Sequence, residues 1–88
     1  MNIIFDEKAK LALEGLLKNS SESYIRIKVF RGCGRAAYEL YPSFKGEEDI
    51  LTEINDIPFV YYKDDVKMID GIEIKYDKEV YTKGFYIK

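Results

Sequence analysis

One stretch with helical periodicity, followed by a series of short runs in which apolar and polar residues alternate, limits the folds open to this chain. Apolar residues recur at the spacing of one helix face from Glu7 to Lys18, and Asp6 before them is a typical helix N-cap. Shorter runs with β-strand character follow, in segments 24–31, 36–41, 49–54, 57–62, 72–76 and 85–87. The pattern predicts a β-dominated α+β fold, a mostly antiparallel sheet or sandwich with the lone helix on one face.

Turn residues set the expected limits of these strands. Pro42 is expected to end the strand that begins at Ala36. Residues 55–56 and 70–71 carry Asn-Asp and Asp-Gly, which favour tight turns. Gly84, inside the last apolar run, predicts a bulge or a close approach of two backbones.

Composition limits the class of protein. The chain has 88 residues, which predicts one domain over 1–88, and 47% hydrophobic with 34% charged residues is typical of a globular protein. The net charge of −2 is spread along the chain, so we expect no nucleic-acid partner. We expect no membrane partner, since no apolar run approaches the ~20 residues of a spanning helix. The single cysteine and the absence of a signal-like N-terminus favour the cytoplasm.

The absence of histidine from the sequence bears on catalysis. Histidine is the commonest general base and the imidazole ligand of zinc sites. The acidic residues show no paired-carboxylate spacing that suggests acid–base chemistry. We therefore expect a protein that is not an enzyme.

The only cysteine, Cys33, lies between two strands that should pair as a hairpin. Gly32 and Gly34 flank it and free the backbone to position the thiol, and Arg31 and Arg35 lie one residue further out. Nearby positive charge favours the thiolate, which is a soft metal ligand and a nucleophile. The alternatives are a cysteine buried as a small hydrophobe and arginines that are solvated or paired with acids on neighbouring strands.

Other polar candidates are weaker. Tyr38 follows the thiol loop on the next strand and is a tentative neighbour of the site, with core packing as its default role. The acidic runs at 47–49 and 64–65 lack the spacing of a calcium loop, so we expect solvated turn residues. Asp64 is expected to cap the short helix that follows it.

The order and spacing of these elements resemble the HesB-like domain family, the A-type iron–sulfur cluster carriers. The resemblance covers almost the whole chain: the helix at 6–18, the strand entering Arg31-Gly32-Cys33-Gly34, and segments 38–40, 57–62, 68–74 and 84–85. It implies a HesB-like fold, with one N-terminal helix packed on a mostly antiparallel two-sheet sandwich of short strands.

The resemblance also implies a site and a function. Cys33 matches the first cluster ligand of the family, whose two further ligands lie in a Cys-Gly-Cys tail beyond the position of Phe85–Ile87. The sequence carries neither of these, and residues 34–37 replace the serine-glycine-rich segment after the first cysteine. The expectation is a degenerate member, a non-catalytic carrier or accessory protein that binds iron or an iron–sulfur cluster through Cys33. Its partners would be iron–sulfur assembly or recipient proteins.

Counting ligands shows what such a site needs. An iron–sulfur cluster normally takes four thiolates, and one chain offers one. A symmetric homodimer with facing Cys33 loops offers two, so the ligand set stays incomplete unless a free thiol, water, carboxylate or phenolate is added. Two alternatives remain: a metal-free protein-interaction module with the same fold, and a redox protein that uses Cys33 as a lone thiol.

Overall fold

The structure is a computed structural model that describes residues 1–32, 36–80 and 84–88. Over these residues the chain forms seven strands, two α-helices and a 3-10 turn. In chain order they are β1 (Ile4–Phe5), α1 (Glu7–Lys18), β2 (Tyr24–Arg31), β3 (Ala36–Ser43), β4 (Asp49–Ile54), β5 (Ile57–Tyr62), the 3-10 turn (Lys63–Asp65), α2 (Val66–Ile69), β6 (Glu73–Tyr76) and β7 (Phe85–Ile87). The predicted β-dominated α+β class is confirmed.

The strands form two mixed sheets. The larger has the order β3-β2-β5-β4 and the smaller has the order β1-β6-β7. The pairs β2–β3, β4–β5 and β6–β7 are antiparallel, while β2–β5 and β1–β6 are parallel. Antiparallel pairing therefore predominates, as predicted. The parallel β2–β5 pair joins the two antiparallel pairs of the larger sheet, and the parallel β1–β6 pair adds β1 to the smaller sheet.

Helix α1 begins as its sequence predicts. The Asp6 carboxylate accepts a hydrogen bond of 2.9 Å from the Ala9 backbone N–H, which satisfies one donor that the first helical turn leaves without a partner. Ala9 and Leu13 are fully buried, while Leu11 on the opposite face is 61% exposed. The helix thus packs its predicted apolar face into the protein core.

The core is one cluster of buried residues, to which both sheets and both helices contribute. Strand β2 contributes Ile25 and Ile27, while Arg26 and Lys28, which alternate with them, lie on the outer face of the larger sheet. The buried members of the cluster are Ile3, Ala9, Leu13, Ile25, Ile27, Ile57, Phe59, Tyr61, Ile69, Ile72 and Ile74. The alternation predicted for β2 is confirmed.

Two features of the larger sheet depend on local backbone geometry. Asn55 and Asp56 have φ of 50° and 69° and connect β4 to β5 directly, so the predicted two-residue turn is confirmed.

The prediction that Pro42 ends its strand is wrong, because β3 continues through Pro42, opposite Ile25, to Ser43. β3 is an edge strand, where a proline without an N–H is tolerated.

Gly84 confirms the predicted close approach. Its φ is +84°, and a Cβ there would lie 2.6 Å from Cε1 of the Tyr76 ring, which packs at 4.7 Å against the ring of Phe85. The Gly84 carbonyl also accepts a 2.7 Å hydrogen bond from the Asp77 N–H. Both the backbone conformation and the ring contact require glycine at this position.

Substituting two glycines should change stability in opposite directions. Gly84→Ala should destabilise the protein by about 1–3 kcal/mol, because the residue must adopt positive φ and displace the Tyr76 ring. Gly15→Ala should stabilise it by about 0.5–1 kcal/mol, since Gly15 lies inside α1 and a Cβ there meets no atom within 4 Å. Urea denaturation measures both changes. A Gly84→Ala protein as stable as the parent would contradict this account.

Candidate functional site

The predicted thiol site lies at the end of the β2–β3 hairpin. Cys33, Gly34 and Arg35 lie outside the described residues, so their predicted roles stay predictions. The two strands pair in register up to Arg31 opposite Ala36, and Gly32 follows β2 as an exposed residue. The predicted hairpin is confirmed, and Cys33 belongs to the chain segment that connects its strands.

Arg31 attaches the end of β2 to the 3-10 turn. Its guanidinium donates to the Asp65 carboxylate at 2.9 Å and to the Asp64 backbone carbonyl at 3.3 Å. Asp65 is only 14% exposed, so its predicted role as a solvated turn residue is wrong: it accepts from Arg31. The predicted cap at Asp64 is also wrong, because Asp65 is the N-cap residue of α2 and no side chain caps that helix or the turn before it.

Tyr38 attaches the opposite strand to the same part of the chain. Its hydroxyl donates a 2.7 Å hydrogen bond to the Met68 carbonyl in α2, and its half-buried ring packs against the core. Arg31 and Tyr38 thus connect the ends of β2 and β3 to the continuous segment 63–69. This segment fixes both strands where they lead into and out of the Cys33 connection.

Removing the Tyr38 hydroxyl tests this attachment. Tyr38→Phe leaves the half-buried Met68 carbonyl without its donor and should cost about 1 kcal/mol of unfolding free energy. Tyr24→Phe is the matched control, since the Tyr24 hydroxyl makes no hydrogen bond within the described part of the chain. Hydrogen exchange should also speed up at residues 36–38 in Tyr38→Phe. Equal stabilities and equal exchange for the two variants would contradict the attachment.

Sequence reasoning missed the most extensive polar contact in the described residues, between Arg26 and Asp49. The two guanidinium N–H groups donate to the two Asp49 oxygens at 3.0 and 2.6 Å. The same guanidinium donates to the Ser43 hydroxyl and the Phe44 carbonyl, both at 3.0 Å, and the Gly46 N–H donates to Asp49 at 2.7 Å. Asp49 begins β4, as the strand predicted over 49–54 has it, but its predicted role as a solvated turn residue is wrong, because its side chain is only 9% exposed.

This contact shifts the titration of both partners. The hydrogen bonds from Arg26 lower the pKa of Asp49 from its ordinary 3.8 to about 2, and the same pairing raises the pKa of Arg26. A carboxylate with a lower pKa in the folded state stabilises the fold above its unfolded pKa. That stabilisation is lost as the pH falls from about 4 through 2.

Asp49→Asn should reveal this dependence. Near pH 7 the variant should lose about 2 kcal/mol or more of unfolding free energy, because the Arg26 charge loses its carboxylate. The difference from the parent should shrink between pH 4 and pH 2, where Asp49 in the parent becomes protonated. Glu53→Gln, an exposed carboxylate of the same strand, is the control. A difference independent of pH would contradict the pairing.

Within residues 1–32, 36–80 and 84–88, no three or more Cys, Asp or Glu side chains come together as a metal-binding group. No helix in that part of the chain has both the length and the apolar character to cross a membrane.

Comparison with solved structures finds close likeness of fold. Over 100% of its length, the chain matches a crystal structure of Escherichia coli SufA, involved in biosynthesis of iron–sulfur clusters, with a TM-score of 0.77, 18% identity and 85% of that chain covered. It also matches a crystal structure of IscA with the [2Fe–2S] cluster, with a TM-score of 0.67 and 19% identity over 99% of this chain and 79% of that one. Models of known families and curated protein sequences give no match. The resemblance predicted from the sequence is thus confirmed for the HesB-like fold.

Proposed function

We propose that this protein is a non-catalytic iron–sulfur cluster or iron carrier of the HesB-like type that binds its cargo through Cys33. The whole-chain likeness of fold to SufA and IscA carries the proposal. The first relative takes part in iron–sulfur cluster biosynthesis, and the second holds a [2Fe–2S] cluster. In this proposal the protein works in the cytoplasm with iron–sulfur assembly or recipient proteins.

The position of Cys33 supports this function. A carrier must hold a soft ion firmly enough to keep it and loosely enough to pass it on. The connection that contains Cys33 joins two strands that Arg31 and Tyr38 attach to the segment 63–69. The Arg31 guanidinium, two residues before Cys33 in the sequence, is paired with the Asp65 carboxylate, so the proposal assigns stabilisation of the iron-binding thiolate to Arg35.

The ligand count favours a site completed by a second chain or a second molecule. Cys33 is the only thiol in the sequence, which also lacks histidine. We therefore propose a homodimer in which two Cys33 thiolates bind one iron centre, completed by small thiols, water or other oxygen donors. Such a centre has replaceable ligands, and a recipient protein with more thiolates would remove the iron by ligand exchange. Delivery in this form needs no acid–base catalysis.

Anaerobic reconstitution with iron, sulfide and a small thiol tests the proposal. The protein should gain visible absorption from sulfur-to-iron charge transfer and retain iron through desalting. Cys33→Ser should show neither, because a serine hydroxyl is a poor ligand for iron at neutral pH. Circular dichroism of the variant serves as the control for folding.

Two results would contradict the carrier function. A colourless protein without iron, indistinguishable from Cys33→Ser, would favour the metal-free interaction module. Iron bound equally by the parent and Cys33→Ser would place the metal elsewhere in the chain. The redox alternative differs from both, since it predicts a Cys33 thiol pKa well below the usual ~8.5 without retained iron.

A further inference from the structure

Strand β4 is an open edge of the larger sheet. In the order β3-β2-β5-β4 it has a neighbouring strand on one side only, β5, among the residues that the structure describes. Ile50 and Leu51 of this strand are 37% and 43% exposed, although both are large and apolar. An edge strand with exposed apolar side chains is a surface on which a further strand can pair.

The hydrogen bonds between β4 and β5 show which backbone groups of β4 face outwards. The Lys63 N–H donates to the Glu48 carbonyl at 3.0 Å, so these two residues form a hydrogen-bonded pair. Bonded and non-bonded pairs alternate along an antiparallel ladder, so the pairs that Leu51 and Glu53 form with β5 are non-bonded. Glu53 lies opposite Pro58, which has no N–H, in agreement with this assignment. The N–H and C=O groups of Leu51 and Glu53 therefore point towards the open edge.

The other outer strands are less suited to pairing. β3 contains Pro42, and Leu16 of α1 and Ile87 of β7 line a pocket together with Leu40 of β3, so other elements lie beside this strand. In the smaller sheet, the outer strands β1 and β7 span only two and three residues. β4 contains neither proline nor lysine, the residues that commonly protect a sheet edge.

A second copy of β4 fits this edge in one antiparallel register. Two identical strands are related by a two-fold axis, and the bonded pairs between them must join the outward-facing residues. An axis at Leu51 would place Asp49 opposite Glu53, and an axis at Glu53 would place two glutamates opposite each other, so both registers oppose like charges. An axis at Thr52 places Leu51 opposite Glu53 and Ile50 opposite Ile54, and no like charges oppose each other within β4. Registers centred nearer the strand ends pair fewer residues.

We propose that β4 pairs with β4 of a second copy of this chain around Thr52, so that the two larger sheets form one continuous sheet. Leu51 and Glu53 exchange backbone hydrogen bonds with Glu53 and Leu51 of the second copy, and Ile50 packs against Ile54. Because this ladder is short, the dissociation constant should be on the order of 0.1–1 mM, as for a transient contact.

This interface differs from the proposed iron-bridged dimer. β4 is antiparallel to β5, and β5 is parallel to β2, so antiparallel pairing of two β4 strands makes the two β2 strands run in opposite directions. The Arg31 ends of the two β2 strands then lie at opposite ends of the joined sheet. The β4 interface therefore neither uses the Cys33 connection nor depends on iron.

Nuclear magnetic resonance of the full iron-free chain under reducing conditions tests the pairing in a dilution series. As the concentration rises from about 0.05 to 2 mM, the Leu51 and Glu53 amides should shift downfield, because their N–H groups gain acceptors. The Ile50 and Thr52 amides should shift less, since their N–H groups already face β5. Cys33→Ser should give the same series, which separates this interface from the iron-bridged one.

Charged substitutions of Leu51 test the register. Opposite Glu53 of the second copy, a lysine attracts and a glutamate repels, so Leu51→Lys should dimerise about ten-fold more tightly than Leu51→Glu. Leu11→Lys and Leu11→Glu are the matched controls, because Leu11 is exposed on α1 and these variants change the net charge equally. The two controls should differ by about two-fold or less. The amide spectrum shows whether each variant is folded.

Three results would overturn the proposal. The first is a parent chain whose Leu51 and Glu53 amides do not change with concentration, or whose changes lie elsewhere. The second is equal weakening by Leu51→Lys and Leu51→Glu, which would mean that Leu51 does not face Glu53. The third is an equal difference between the lysine and glutamate variants at positions 11 and 51, which would attribute the effect to net charge.

Discussion

The larger sheet depends on a short parallel contact between β2 and β5. The β2–β3 and β4–β5 pairs meet through a ladder of two residue pairs, Ile25–Phe59 and Arg26–Val60. Ile25 and Phe59 are fully buried, and each contributes about 1.5–3 kcal/mol by leaving water. Arg26 supports the contact on the opposite face of the sheet, because its guanidinium binds Ser43 at the end of β3 and Asp49 at the start of β4.

The chain that follows β5 supports the candidate site. The ladder between β2 and β5 ends at Arg26 and Val60, and after Tyr62 the chain continues through segment 63–69 beside the end of the β2–β3 hairpin. Arg31 and Tyr38 bind this segment from the two strands of the hairpin. The end of the hairpin that leads into the Cys33 connection is therefore supported on both strands.

Local signals in the sequence predicted most of the fold, but they did not predict the long-range polar contacts. Helix α1, the strand alternation of β2 and the turn at residues 55–56 are set by neighbours along the chain, and the structure confirms each. Arg26 and Asp49 lie 23 residues apart, and nothing in either local pattern indicates that they meet. Pro42 ended its strand in the prediction because the sequence alone does not show that β3 lies at a sheet edge. The hairpin predicted around Cys33 was correct, and a short helix after Asp64 was expected, but the contacts of Arg31 and Tyr38 with segment 63–69 came only from the structure.

Native mass spectrometry of the reconstituted protein under anaerobic conditions tests the central claim most directly, because it counts chains and iron in one species. Two thiolates around one centre predict a complex of two chains with a single iron-containing group, and Cys33→Ser should yield chains without iron. A reconstituted parent with only iron-free monomers, or one whose iron belongs to single chains and persists in Cys33→Ser, would contradict a shared site at the end of the β2–β3 hairpin.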